Sequence, residues 1–63
     1  MTAAEAMVFE QMLGTPTEVL KDDLLYLYKQ DGFGMEYNLL LTLLEDRLGL
    51  EEFDKWCLQN HLN

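Results

Sequence analysis

The sequence contains few of the residues that build disulfide or metal frameworks. It has one cysteine, Cys57, and one histidine, His61, among 63 residues. No disulfide can form within the chain, and a solitary thiol is typical of a reducing compartment. A helix would place Cys57 and His61 one turn apart, but zinc needs three or four protein ligands, which only a two-fold dimer would supply. We therefore expect no metal and no cofactor.

The sequence also lacks long hydrophobic runs and a basic segment near its start. No apolar stretch approaches the roughly 20 residues that a helix needs to cross a bilayer. The first residues include Glu5 and no lysine or arginine, which differs from a secretory signal. We therefore expect a cytoplasmic protein that does not bind membranes.

Positive charge is scarce in this chain. Four Lys and Arg residues face 12 Asp and Glu residues, which gives a formal net charge of −8. Binding to nucleic acid or to anionic lipid requires basic side chains, so both are excluded as direct partners. A protein with a basic surface is the favoured partner. The same charge would also keep a small leucine-rich protein soluble without any further role.

The hydrophobic residues predict an all-α fold. They make up 49% of a chain that is short enough to form one domain, residues 1–63. Apolar residues recur at helical spacing in four segments separated by glycine or proline, which predicts a compact bundle of four short helices with tight turns. The segment from Tyr37 to Leu48 is apolar over so wide an arc that more than one neighbour must cover it. We predict that it is the central helix and buries Leu40, Leu41 and Leu44.

Local signals mark the first two helices. Residues 2–5, Thr-Ala-Ala-Glu, match a capping box and predict a first helix that ends at a left-handed Gly14. The helix should run to about Leu13, with Ala6, Phe9 and Leu13 on one side. Thr15 is expected to cap the second helix, with Pro16 in its first turn. The second helix should continue through Gln30.

The second half of the chain contains two glycine turns. Gly32 is expected to end the second helix. Phe33 either folds back onto the core or remains exposed as an anchor. Tyr26, on the second helix, either extends the core or is exposed as a contact residue. Gly49 is expected to separate the third and fourth helices, although a fused helix is the alternative.

The fourth helix is predicted from the spacing of its apolar residues. Leu50, Phe53, Cys57 and His61 share one predicted face, with Trp56 beside them. Trp56 is compatible with either the core or a binding surface.

Acidic residues are concentrated where the third and fourth helices meet. These carboxylates and a neighbouring tryptophan are our candidate partner-binding residues: Glu45, Asp46, Glu51, Glu52, Asp54 and Trp56. They form either a docking surface for a basic partner or a solvated corner without a specific role. Tryptophan is a frequent anchor in interfaces, which favours docking.

Two other kinds of activity fit the sequence poorly. Cys57 with His61 resembles a nucleophile and its base, but a bundle of this size has little room for a substrate pocket. The helices around residues 31–34 also have the order of a helix-turn-helix. However, acidic side chains on the third helix would be repelled from a DNA groove. We expect neither catalysis nor DNA binding.

These observations favour a small acidic binding module that is not an enzyme. We expect it to act stoichiometrically on another protein as an inhibitor, adaptor or regulatory subunit. One version occupies the basic, nucleic-acid-binding site of its partner. Small regulators of phages and mobile elements often combine these features, which is an analogy of type without a shared motif. The alternative is a self-assembling structural subunit, and we expect a homodimer because so small a bundle covers its apolar surface incompletely.

Overall fold

The computed structural model of the protein describes residues 2–62. Within that range the chain folds into four helices: α1 Ala3–Leu13, α2 Thr17–Lys29, α3 Met35–Leu48 and α4 Leu50–Gln59. The prediction of an all-α bundle of four short helices is therefore confirmed. None of these four helices is both long and apolar enough to cross a membrane.

α3 is the central helix, and it contacts each of the other three. It supplies half of the buried core, which consists of Met12, Leu20, Leu24, Leu39, Leu40, Leu43, Leu44 and Phe53. The predicted burial of Leu40 and Leu44 is confirmed. Leu41 is only half-buried and packs against the edge of the core, which corrects its predicted full burial.

α1 begins as its sequence predicts but buries a different residue. The Glu5 N–H donates to the Thr2 hydroxyl at 3.2 Å, and the Glu5 carboxylate accepts from the Thr2 N–H at 3.4 Å, so the capping box is present. Met12 is buried, whereas Leu13 is 53% exposed, which corrects the expected core position. Gly14 has φ −86°, so the predicted left-handed end is wrong as well.

Arg47 of α3 explains why α1 ends without a left-handed glycine. Its guanidinium donates to the carbonyl oxygens of Thr15 (2.6 Å), Leu13 (2.9 Å) and Met12 (3.2 Å), and to the Thr17 hydroxyl (3.3 Å). Carbonyls at a helix C-terminus have no partner within the helix and attract positive charge. α1 has no basic residue in its own last turn. Arg47 therefore supplies that charge from another helix and fixes the turn between α1 and α2.

The start of α2 corrects the role that we expected for Thr15. α2 begins at Thr17, Pro16 occupies the N-cap position, and no side chain caps the helix. The Thr15 hydroxyl instead donates backwards to the Gln11 carbonyl at 2.9 Å. Because Arg47 also holds its carbonyl, Thr15 completes the end of α1.

α2 and α4 both end at a left-handed residue that is not glycine. Asp31 has φ 56° and His61 has φ 58°. The Gly32 N–H then donates to the Leu27 carbonyl at 2.8 Å, and Leu62 makes the equivalent bond at the end of α4, as in a Schellman motif. Gly32 is therefore not the left-handed cap that we predicted. A Cβ at position 32 would lie 3.1 Å from Cδ2 of Leu27, a tight contact that the Leu27 side chain would have to relieve.

Gly49 separates α3 from α4, as the sequence predicts. It has φ +81°, a conformation that side chains other than glycine rarely adopt. Its N–H donates to the Glu45 carbonyl at 2.8 Å, and its own carbonyl accepts from the Phe53 N–H at 2.9 Å. One residue thus ends α3 and begins α4, so the two helices do not fuse.

The turn between α2 and α3 carries an aromatic cluster on the surface. Phe33 packs edge-on against Tyr28 and Tyr37, with ring centroids 5.8 and 5.0 Å away. It remains 52% exposed, so it does not fill the core, which corrects the first of our two expectations for it. Tyr26, on the outer side of α2, is exposed as well.

Candidate functional site

The candidate site is centred on the junction of α3 and α4 around Gly49. We call its five carboxylates the acidic corner: Glu45, Asp46, Glu51, Glu52 and Asp54. All five residues are exposed. Glu51 and Glu52 lie in the first turn of α4, where the helix dipole favours negative charge. The structure therefore keeps these carboxylates in solvent.

The acidic corner is less neutralised than the sequence suggests. Within residues 2–62 its one ion pair joins Glu52 to Lys55, with Oε1 and Nζ 4.0 Å apart and both side chains exposed. Arg47 precedes the junction in sequence, yet its guanidinium is bound to the end of α1. Negative charge therefore dominates the junction.

The five carboxylates do not share one face. Each helical residue turns the chain by about 100°, so Glu45 and Asp46 point to different flanks of α3. On α4, Glu51 and Asp54 are about 60° apart, whereas Glu52 lies on the far side. The acidic corner is thus a band of charge around the junction. Glu51 and Asp54 are its one pair of carboxylates that lie close together on one face of a helix.

Two of the carboxylates lie close enough to Cys57 to change its chemistry. The thiol is half-buried, and burial raises its pKa, with the charges of Asp54 and Glu45 raising it further. Tyr37 also has a raised pKa, first through burial and then through Tyr28 and Cys57. The thiolate is the reactive form of cysteine. Cys57 therefore holds its proton at neutral pH and is a poor nucleophile.

We expected His61 to lie one helical turn after Cys57, but the structure places it beyond the end of α4. α4 ends at Gln59, and His61 takes the left-handed conformation that turns the chain away. Among residues 2–62, no group of three or more His, Cys, Asp or Glu side chains is placed to hold a metal ion. No pocket opens in the surface of this part of the chain.

Trp56 is held between α4 and α2. Its ring lies 6.0 Å from that of Phe53, and Nζ of Lys21 lies 5.9 Å from its centroid. The side chain of Lys21 is only 20% exposed, and its Nζ pairs with the Glu18 carboxylate at 3.4 Å. Trp56 is half-buried, lies one helical turn after Glu52, and remains a predicted binding residue.

Two leucines on the outside of α4 belong to the site, although only their flanking carboxylates were predicted. Leu50 is 67% exposed and Leu58 is 62% exposed. Leu50 was expected on the buried face, but that face of α4 is occupied by Phe53. We call Leu50, Glu51, Asp54 and Leu58 the outer stripe. Its members fall within about 100° of arc, a pattern that the i, i+4, i+8 spacing of Leu50, Asp54 and Leu58 would have revealed.

The reactivity of Cys57 provides a test of this geometry. In alkylation by iodoacetamide followed against pH, Asp54→Asn and Glu45→Gln should each move the midpoint to lower pH, because the thiolate would lose a nearby negative charge. Asp46→Asn removes the same charge from the other flank of α3 and should leave the midpoint unchanged. Equal shifts in all three variants would show that only net charge matters.

Comparisons of the chain with protein-family models, with curated proteins and with solved structures gave no match.

Proposed function

We propose that this protein is a non-enzymatic binding module that docks on a basic surface of another protein. It would act stoichiometrically, as an inhibitor, an adaptor or a regulatory subunit. The observation that supports this proposal is the acidic corner, whose exposed carboxylates have a single ion pair among them within the described residues. The carboxylates lie on two helices joined at Gly49, so binding should cost little conformational entropy of the backbone.

The charge would act mainly on the rate of association. A net charge of −8 on so small a chain attracts a basic partner over about one Debye length, roughly 8 Å at physiological salt. Within the corner, the guanidinium of Arg47 does not pair with the carboxylates, because it hydrogen-bonds to the end of α1 and the following turn. Nucleic-acid mimicry is one form of the proposal, in which the carboxylates occupy sites that otherwise bind phosphates.

The test compares two variants that lose the same charge at different places. The first, Glu51→Gln/Glu52→Gln/Asp54→Asn, neutralises the α4 part of the acidic corner. The second, Asp22→Asn/Asp23→Asn/Glu36→Gln, neutralises three exposed carboxylates on α2 and α3. A partner captured from the source cells is purified, and its association rate with each variant is measured at low and physiological salt.

We expect the α4 variant to associate at least about tenfold more slowly and to lose much of the salt dependence. The control variant should bind at close to the normal rate. Equal losses in both variants would mean that bulk charge attracts the partner, and unchanged binding in both would refute docking through the corner.

Self-association is the second candidate function. It is favoured by the aromatic cluster at the α2–α3 turn, where Phe33 is exposed and the nearby Met35 is exposed as well. A homodimer through this end would keep the acidic corners apart. Sedimentation at rising concentration should then give twice the 7.4 kDa chain mass, and more dimer in high salt, which strengthens apolar contacts. A mass of 7.4 kDa throughout would exclude this candidate.

A further inference from the structure

We infer that the outer stripe of α4 binds an amphipathic basic helix of the partner protein. Apolar side chains of that helix would contact Leu50 and Leu58, and its lysines or arginines would pair with Glu51 and Asp54. This inference rests on the proposed function and specifies the partner segment that the α4 part of the site would recognise.

The two leucines supply the apolar half of the argument. Both expose more than half of their surface, and neither belongs to the core or to the residues packed around it. They are eight residues apart on one helix, a rise of about 12 Å, or roughly two turns. Helices that bind along a groove or a helix face present apolar anchors at i, i+3, i+4 and i+7, which span the same distance.

The carboxylates determine which occupant fits. Asp54 lies between the two leucines, and Glu51 lies along the same line as Leu58. Neither carboxylate has an ion-pair partner within residues 2–62. Lys55 lies one helical turn after Glu51, but its Nζ is paired with Glu52 at 4.0 Å. A second copy of this chain would bring its own Glu51 and Asp54 against these groups. A basic segment would complement them, so charge favours a different protein over a homodimer at this face.

The leucines also distinguish this occupant from a rigid phosphate-binding surface. A site built for phosphates offers basic and polar groups, and it gains nothing from burying Leu50 and Leu58. An amphipathic helix uses both the apolar and the acidic members of the stripe.

The experiment uses synthetic peptides as probes of the intact protein. The first is a peptide of leucine and lysine, about 14 residues long, with leucines along one helical face. The second has the same composition in an order that breaks the apolar face. Binding is measured by fluorescence anisotropy of labelled peptides, and the site is mapped by amide chemical shifts in two-dimensional NMR. We expect the first peptide to bind at least about tenfold more tightly and to shift α4 resonances around Asp54.

Matched variants locate the contact. Leu50→Ala/Leu58→Ala should weaken binding of the first peptide at least about tenfold. The thermal stability of the protein should remain near normal, because both side chains are exposed. Met7→Ala/Leu13→Ala removes two exposed side chains from α1 and should leave binding unchanged. Glu51→Gln/Asp54→Asn should weaken binding and reduce its salt dependence.

Four results would overturn the inference. These are equal binding of the two peptides, undiminished binding by the leucine variant, equal loss in the α1 variant, and a dimer that dissociates when Leu50 and Leu58 are replaced. The proposed function fails separately. If binding of the purified partner requires the carboxylates but not the two leucines, docking through the acidic corner is supported and this inference is refuted. If binding of the partner requires neither the carboxylates nor the leucines, the proposed function and this inference are both refuted.

Discussion

Leu44→Ala is expected to destabilise the protein by about 2–5 kcal/mol, the usual cost of removing a fully buried leucine and leaving a cavity. Leu44 has no exposed surface and lies on the helix that contacts all three others. A chain of this length has a total stability of roughly 3–9 kcal/mol. The variant should therefore be largely unfolded at 37 °C, as followed by circular dichroism during urea titration.

Two controls separate core packing from a general intolerance of leucine loss. Leu58→Ala removes an exposed leucine from α4 and should leave the urea midpoint nearly unchanged. Leu41→Ala removes a half-buried leucine from α3, and its urea midpoint should lie between those of Leu44→Ala and Leu58→Ala. A Leu44→Ala protein that unfolds at the wild-type urea concentration would mean that the core lies elsewhere.

Arg47→Ala is expected to cost about 2–3 kcal/mol, because hydrogen bonds from a charged donor, most of them partly buried, are lost. The four acceptors belong to the end of α1, the following turn and the start of α2, so the loss should not be confined to α3. Amide hydrogen exchange should show α1 opening first. Urea titration measures the total cost.

Charge and geometry can be separated at this position. Arg47→Lys keeps the charge, but a single ammonium cannot reach acceptors arranged around a planar guanidinium, so it should recover only part of the loss. Lys55→Ala removes an equal charge from an exposed pair and should leave the urea midpoint unchanged. If Lys55→Ala costs as much as Arg47→Ala, the effect is electrostatic and the carbonyl network is unimportant.

The helices and the central core follow from local patterns in the sequence. Apolar spacing locates α3, the Thr2–Glu5 box locates the start of α1, and Gly49 is needed where a positive φ separates two helices. These features depend on a few neighbouring residues, so the chain itself contains the necessary information. Burial of Leu40 and Leu44 follows from the same periodicity.

The errors occur where distant residues meet. The roles of Thr15 and Gly14 depend on Arg47, which is more than 30 residues away in sequence. The choice between Met12 and Leu13 depends on which side of α1 meets α3. Asp31 is left-handed because the chain must reverse there, even though Gly32 is the residue with the stronger local preference.

The same limit applies to the candidate site. The acidic residues around Gly49 are visible in the sequence, and their exposure agrees with a docking surface. Their division among several faces appears only once α3 and α4 are placed. The hydrogen bonds of Arg47 likewise depend on how α1 packs on α3, and the exposure of Leu50 depends on how α4 packs on α3.

The link between Arg47 and the end of α1 also affects the order in which the chain acquires structure during synthesis. α1 and its turn leave the ribosome well before residue 47 and the completed α3 follow. Until then α1 and α2 lack the apolar surface of α3. α1 also lacks Arg47, the donor for its last carbonyls. A nascent chain that stalls before α3 is complete should thus remain open to proteases. Protection should appear in one late step, as expected when the stabilising contacts are distant in sequence.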